Sequence, residues 1–196
     1  PMFRQWCTPT RISVFWALTV AVIILALMIP PHANGQEMNA QFIQATRTGD
    51  ASAVKEMLSQ GASVEATDIL GNSALTCAVE SEQMECVKVL LDNGATVNTR
   101  NYNGYTPLML SAIKGQKKMA KMLMEKGADV NATDPYGWTA LMNAVYLGDA
   151  EMVQLLLDAG TDVNHKNYLG RTALFISEKT GKPEIMRMLK EAGAVE

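Results

Sequence analysis

The chain has 196 residues, of which 48% are apolar, 19% charged and 6% aromatic, enough for one ordinary domain and a short additional segment. All 20 acidic residues lie at Glu37 or later, and the first 35 positions carry only Arg4 and Arg11. The remainder, with 15 basic residues, therefore has a net charge of −5. This acidity argues against nucleic-acid binding, which depends on neutralising phosphates with Lys and Arg. The apolar content excludes fibrous and fully disordered proteins.

Residues 1–35 predict a signal peptide or a signal anchor. Ile12 to Ile29 form an uncharged run of 18 residues, preceded by the arginines and followed by Pro30 and Pro31. We expect cleavage after Gly35, because Ala33 and Gly35 are the small residues that a signal peptidase accepts. The alternative is a retained membrane helix, since about 20 apolar residues span a bilayer. In either case the basic residues stay in the cytoplasm and the rest is translocated.

Glycines recur every 33 residues through the rest of the chain, at Gly61, Gly94, Gly127, Gly160 and Gly193. Two further sets keep the same step, with one departure where Glu82 replaces a glycine. Five units without insertions, the first lacking its opening turn, predict a solenoid of repeats one to five: 36–67, 68–100, 101–133, 134–166 and 167–196.

Each unit has the local chemistry of a turn, a short helix, a second turn and a longer helix. Asp68 and Asp134 stand where a tight turn begins, and Gly71 and Gly137 stand where a positive φ is required. A hydroxyl then follows at the position of a helix N-cap: Ser73, Thr106, Thr139 or Thr172. The longer helix is amphipathic, so a single unit exposes an apolar face that only stacked neighbours cover.

Residues 106–112 and 139–145 have the pattern of the opening of a repeat, and residues 90–98 have that of its close. With these segments the sequence resembles the ankyrin-repeat family, and in particular exported, periplasmic bacterial members. The resemblance implies an all-α solenoid of about five helix-turn-helix units with β-turn or hairpin tips. In place of the family's helix-opening histidine this chain has Thr76, Met109, Met142 and Phe175, which implies softer packing between turns.

Polar residues at both ends of the solenoid predict capping repeats. Gln41 and Gln44 occupy positions that are more apolar in the inner units, and Glu178 replaces the Val79, Ala112 or Val145 of the other units. Such substitutions are expected where an outer face meets water.

The sequence predicts no catalytic residues, no metal ligands and no cofactor. His32 and His165 are the only histidines, and a single turn histidine assembles neither a nucleophilic triad nor a zinc site. We expect His165 to be exposed. No glycine-rich phosphate loop follows a strand. A small enzyme or effector is therefore disfavoured.

Cys77 and Cys86 fall on the two helices of repeat two. A pair of cysteines in an exported protein is compatible with a disulfide, and two free, half-buried thiols are the slightly favoured alternative.

Two further patterns have structural explanations. Asn131 matches a glycosylation acceptor but shares a repeat position with Asn98 and Asn164, which indicates a role in the scaffold. Five lysines concentrate in repeat three, where a solvated face is favoured over an anion site: Lys114, Lys117, Lys118, Lys121 and Lys126.

The aromatic side chains indicate where a partner would bind. In the resembled family, partners contact turn tips and the concave face of the short helices. All five tyrosines and Trp138 fall in such positions, flanked by apolar residues, and tyrosine and tryptophan dominate binding hot spots. We call the nine predicted partner-binding residues the aromatic row: Ile69, Leu70, Tyr102, Tyr105, Tyr136, Trp138, Tyr146, Tyr168 and Leu169.

These features predict a non-enzymatic module that binds another protein, with Tyr105, Trp138 and Tyr136 as anchors. We expect it to be bacterial and periplasmic or otherwise exported, without contact to nucleic acid. The alternative is a membrane-tethered structural or assembly subunit, held through residues 12–29, whose repeat domain lies outside the cytoplasm.

Overall fold

Ten helices account for the regular structure of residues 31–195, the part of the chain that the computed structural model describes. No strand is present in this part, where the antiparallel contact of Thr67 with Ser73 is an isolated β-bridge. In chain order the helices are α1 (Pro31–Thr48), α2 (Ala51–Ser59), α3 (Ala74–Glu80), α4 (Met84–Asp92), α5 (Pro107–Ile113), α6 (Lys117–Glu125), α7 (Ala140–Leu147), α8 (Ala150–Asp158), α9 (Ala173–Lys179) and α10 (Pro183–Glu191).

One consecutive pair of helices falls in each of the five expected units, although α1 already begins at Pro31, before the first unit. We call α1, α3, α5, α7 and α9 the inner helices, and the helix that follows each of them an outer helix. The predicted N-caps are confirmed, because the hydroxyls of Ser73, Thr106, Thr139 and Thr172 each accept from the backbone N–H three residues later, at 3.2–3.3 Å. Each hydroxyl thus satisfies one of the donors that a helix leaves unpaired at its first turn.

The inner helices form the core of the solenoid. Every residue from Ala74 to Val79 and from Pro107 to Ala112 is buried, because α3, α5, α7 and α9 stack on one another in sequence. The buried side chains are apolar except for Thr76 and Ser111, whose hydroxyls are hydrogen-bonded, as burial of a polar group requires.

The outer helices bury one face only. In α4 the buried residues are Cys86, Val87 and Leu90, and α8 buries Met152, Val153 and Leu156 at equivalent positions. This spacing places three side chains on one side of the helix, against the inner helices, and leaves the remainder in water. Burial of each leucine contributes about 1.5–3 kcal/mol.

Helix α1 is longer than the other helices described, with 18 residues, and it begins before position 36. The repeat explains this length, since Met38 and Ala40 stand where later units have the turn glycine and the hydroxyl cap. Methionine and alanine both favour a helix, so nothing interrupts α1 at the point where α3 begins in the next unit.

The ends of the repeat domain are polar, as predicted. Gln41, Gln44 and Glu178 are exposed, whereas Val79, Ala112 and Val145, which share the position of Glu178, are completely buried. The compact unit that contains these residues starts at Asn39.

The predicted signal peptide or anchor falls almost wholly outside the described residues, because the uncharged run from Ile12 to Ile29 precedes residue 31. The expected cleavage point after Gly35 lies within α1. Within residues 31–195, no helix combines the length and the apolar character needed to cross a membrane.

Candidate interaction surface

Each turn tip is shaped by one side chain at its start. Oδ1 of Asp68 accepts from the backbone N–H groups of Leu70 and Asn72, both at 2.8 Å. Asn101, Asp134 and Asn167 repeat this pattern toward the residues two and four positions later, at 2.8–3.1 Å. These local hydrogen bonds hold the tip without a sheet, so the residues between them project from the scaffold in a fixed direction.

Consecutive tips also pack on one another. A Cβ added to Gly71 would lie 2.4 Å from the Tyr102 ring, and one added to Gly137 would lie 3.0 Å from the Tyr168 ring. The Tyr168 N–H donates to the Tyr136 carbonyl at 3.2 Å. Tyr102 and Tyr168 therefore contribute to the stacking of the tips as well as to their surface.

The structure exposes most of the aromatic row. Seven of its nine residues are exposed, from 57% for Tyr146 to 93% for Ile69, and Tyr105 and Trp138 are half-buried. The tip residues Ile69, Leu70, Tyr102, Tyr136, Tyr168 and Leu169 line the edge of the solenoid, one tip after another. Apolar side chains that stay in water over several consecutive tips are typical of a binding surface.

The half-buried members of the row lie where the tips meet the inner helices. The Trp138 and Tyr146 rings make an edge-to-face contact, with centroids 5.9 Å apart and planes at 85°. This arrangement is one of the favoured aromatic geometries. It fixes the indole in place, so that Trp138 presents a preformed apolar wall.

That wall belongs to a pocket that the sequence did not predict. The pocket has a volume of ≈ 290 Å³ and is lined by Trp138, Tyr146, Arg171, Phe175, Ile176, Lys179 and Thr180. Phe175 is 37% exposed although Met109 and Met142, at the same repeat position, are buried. No signal within its own unit marks Phe175 as exposed, because its burial depends on a further helix pair, and none of those described packs against α9 on the side away from α7.

The two cysteines are free and completely buried, where half-burial was expected. The Cys77 thiol faces its own turn, with Sγ 3.8 Å from Asp68 Oδ2. Burial raises the pKa of Cys77 to about 11, and the Arg47 guanidinium opposes this rise only in part. Burial likewise raises the pKa of Cys86, together with the carboxylates of Asp50 and Glu85. The two thiols have different surroundings, and no disulfide joins them.

The prediction that His165 is exposed is wrong. Its ring Nε2 lies 3.0 Å from the Gly137 carbonyl oxygen, and the side chain is half-buried. Local sequence patterns do not indicate this contact, because the partner carbonyl is 28 residues away in the chain. His165 thus helps to hold the tip that carries Tyr136.

The asparagine column has the predicted role in the scaffold. Oδ1 of Asn98, Asn131 and Asn164 accepts from a backbone N–H in the following unit, at 2.8–2.9 Å. Of the lysines of repeat three, Lys126 pairs with Asp92 at 2.7 Å, and Lys117 pairs with Asp149 and Glu151 at 3.3 and 3.1 Å. These two lysines connect neighbouring repeats, while Lys114, Lys118 and Lys121 are exposed.

The described residues thus offer a surface for apolar contact. Among residues 31–195, no group of three His, Cys, Asp or Glu side chains is placed to hold a metal ion.

The comparisons with known proteins agree with this architecture. The family model described as Ankyrin repeats (3 copies) matches residues 42–134 and, in a second placement, residues 127–195. No curated protein matches the chain. The two placements together cover more than half of the sequence, so the chain belongs to the ankyrin-repeat family.

Proposed function

We propose that this chain is a non-enzymatic protein-interaction module, exported across the cytoplasmic membrane, that holds another protein against the aromatic row. Ankyrin repeats are generally protein-interaction modules. The observation that carries the proposal is the exposure of seven apolar or aromatic side chains of the row on consecutive tips and on α7.

The stability of the scaffold does not account for most of these side chains. Tyr102 and Tyr168 cover a glycine of the preceding tip, and that contact gives them a structural role. Tyr136 and Tyr146 are 73% and 57% exposed, so most of their apolar area is available to a partner. Aromatic side chains that become buried when a partner binds supply most of the binding free energy of typical interfaces.

The proposal is tested by capture of a partner from a cell-envelope extract on the immobilised protein. We expect the double variant Tyr105→Ala/Trp138→Ala to weaken capture at least about tenfold, because two anchors are removed. A second variant, Tyr136→Ala/Tyr146→Ala, removes exposed side chains and leaves the core intact. Thermal unfolding of both variants checks whether the fold is retained.

Lys118→Ala/Lys121→Ala is the matched control, because both lysines are exposed on the outer helix α6. Its capture should equal that of the wild type. Unchanged capture by both aromatic variants would show that the aromatic row is not the binding face.

The intact mass of the translocated protein distinguishes a cleaved, exported chain from a membrane-tethered one. A mass that corresponds to a chain starting at Gln36 supports cleavage and excludes the tether. The alternative function, a membrane-tethered structural or assembly subunit, is favoured by the uncharged run from Ile12 to Ile29. A mass that still includes this run would support that alternative.

A further inference from the structure

The pocket beside Trp138 has apolar walls from two neighbouring units. Trp138 and Tyr146 come from repeat four, and Phe175 and Ile176 come from α9 in repeat five. Its volume of ≈ 290 Å³ lies near the lower limit of about 300 Å³ for small-molecule sites. A space of this size suits an apolar side chain projecting from a partner.

Two cations lie at this pocket. The Arg171 guanidinium carbon is 5.8 Å from the centre of the Phe175 ring, and the Lys179 ammonium nitrogen is 5.4 Å from it. These cation–π contacts orient both groups at the pocket. Within the described residues neither cation forms a salt bridge. The nearby carboxylate residue Glu178 lines a neighbouring pocket and does not pair with them.

The repeat shows that the scaffold does not require these cations. The position of Arg171 is occupied by Tyr105 and Trp138 in the two preceding units, and that of Lys179 by Ile113 and Tyr146. In repeat two the latter position is the acidic Glu80. In repeat one this position is Arg47, so its charge changes from unit to unit and is not set by the scaffold. Repeat five alone combines it with a second cation, Arg171, in a domain whose net charge is negative.

We propose that this pocket binds an acidic segment of the partner protein, in which an apolar side chain enters between Trp138 and Phe175 and flanking carboxylates pair with Arg171 and Lys179. This inference rests on the proposed protein-binding function and names the chemistry of the partner. Carboxylates form strong charge-assisted hydrogen bonds with Arg. Apolar walls beside the pairs lower the local dielectric and strengthen the attraction.

The test is selection from a displayed library of random 12-residue segments, each flanked by carrier sequence, on the immobilised full chain. We expect enrichment of segments in which Trp, Phe or Leu is adjacent to Asp or Glu. The dissociation constant of the best segment, made as a synthetic peptide, is then measured by titration calorimetry.

The charge-reversed variant Arg171→Glu/Lys179→Glu should bind this peptide at least about tenfold more weakly and should select segments that contain Lys or Arg instead. Lys118→Glu/Lys121→Glu makes the same change of charge on α6 and should bind like the wild type. Because Arg171 and Lys179 are exposed, both variants should fold, and their thermal unfolding verifies this.

Three results would overturn the inference. If amidation of the peptide C-terminus abolishes binding, the pocket recognises a chain terminus and not an acidic segment. A second contrary result would be selected segments without acidic residues that bind normally to the charge-reversed variant but not to Tyr146→Ala. The partner segment would then not be acidic, although the protein-binding function would stand. If no segment is enriched by the wild type, the acidic-segment inference is contradicted, while partner capture by the aromatic row still decides the protein-binding function.

Discussion

Glu82 occupies a repeat position at which Gly49, Gly115, Gly148 and Gly181 stand in the other units, and it keeps their backbone conformation. Its φ is 60°, the single positive value of a residue other than glycine among the described residues. The packing of the repeat, and not the residue at this position, therefore imposes the left-handed backbone conformation on the turn between α3 and α4. A side chain in this region is strained by about 1 kcal/mol.

Glu82→Gly should therefore stabilise the protein. Removal of the strain outweighs the greater entropy of glycine in the unfolded chain, so we expect the free energy of unfolding to rise by roughly 0.5–1 kcal/mol. Urea unfolding measures this change. The matched control is Gly181→Glu, at φ +66° and with no atom within 4 Å of an added Cβ, which should lower the stability by a similar amount. Equal free energies of unfolding for both variants and the wild type would show that the backbone at Glu82 is not strained.

The Cys77 thiol should make the stability depend on alkaline pH. The folded protein holds the pKa of this thiol at about 11, above the ordinary value of 9.0, mainly through burial. Between these values the unfolded chain loses the proton and the folded protein keeps it, so the free energy of unfolding falls as the pH rises from 9 to 11. Urea unfolding at several pH values should show a smaller fall in Cys77→Ala. An identical pH dependence in both proteins would show that Cys77 is not the group responsible.

Residues whose role is decided by near neighbours in the chain could be predicted from the sequence. The hydroxyl caps Ser73 and Thr106 act on a backbone group three residues away, and their pattern is visible in a short window. His165 was misjudged because its partner Gly137 lies in the adjacent unit. Spacing in the sequence does not show which carbonyl group a ring approaches.

At the scale of the helix pairs, side chains that join consecutive units hold the solenoid together. Asn98 is an example, since its Oδ1 accepts from Asp129 N at 2.8 Å and its Nδ2 donates to the Gly127 carbonyl at 3.2 Å. In repeat one Glu65 takes the corresponding place, where it accepts from Thr96 N at 2.7 Å. The period of the asparagines predicted a structural role, although their actual partners appear only in the structure.

Asn98→Ala should weaken the interface between repeats two and three. The loss of two hydrogen bonds at this exposed site should lower the free energy of unfolding by about 1 kcal/mol, and hydrogen exchange at Asp129 N should become faster. Asn103→Ala is a suitable control, because Asn103 is exposed at a tip and its side chain makes no hydrogen bond in the described part of the chain. Equal exchange rates at Asp129 in the two variants would refute the role of Asn98.

Helix α1 shows the limit of the repeat as a guide to element boundaries. The period placed the first unit at residue 36, but α1 starts at Pro31 and passes through Gly35. The 33-residue period predicts only those helix boundaries that all units share. In repeat one Met38 and Ala40 replace the turn glycine and the hydroxyl cap, so the helix is not interrupted where the inner helix of a later unit begins.

For the molecule as a whole, the sequence predicted the number of helix pairs in the described residues, the polar ends and the exposed tips. The basic pocket was missed because the position of Phe175 was interpreted as part of the scaffold, by comparison with Met109 and Met142. Burial at a repeated position depends on the next helix pair, and α9 has none stacked beyond it among the described residues. The exposure of Phe175 is thus a property of the assembled solenoid, invisible in its own unit.

Photocrosslinking in living cells tests the central claim, that the aromatic row contacts a partner protein. A photoreactive phenylalanine analogue replaces Tyr136 on a tip or Tyr146 on α7, and Lys121 on the outer helix α6 serves as the control position. We predict that the two row positions yield the same crosslinked protein, identified by mass spectrometry, and that Lys121 yields none of it. Crosslinks from Lys121 alone, or none from either row position, would contradict the account.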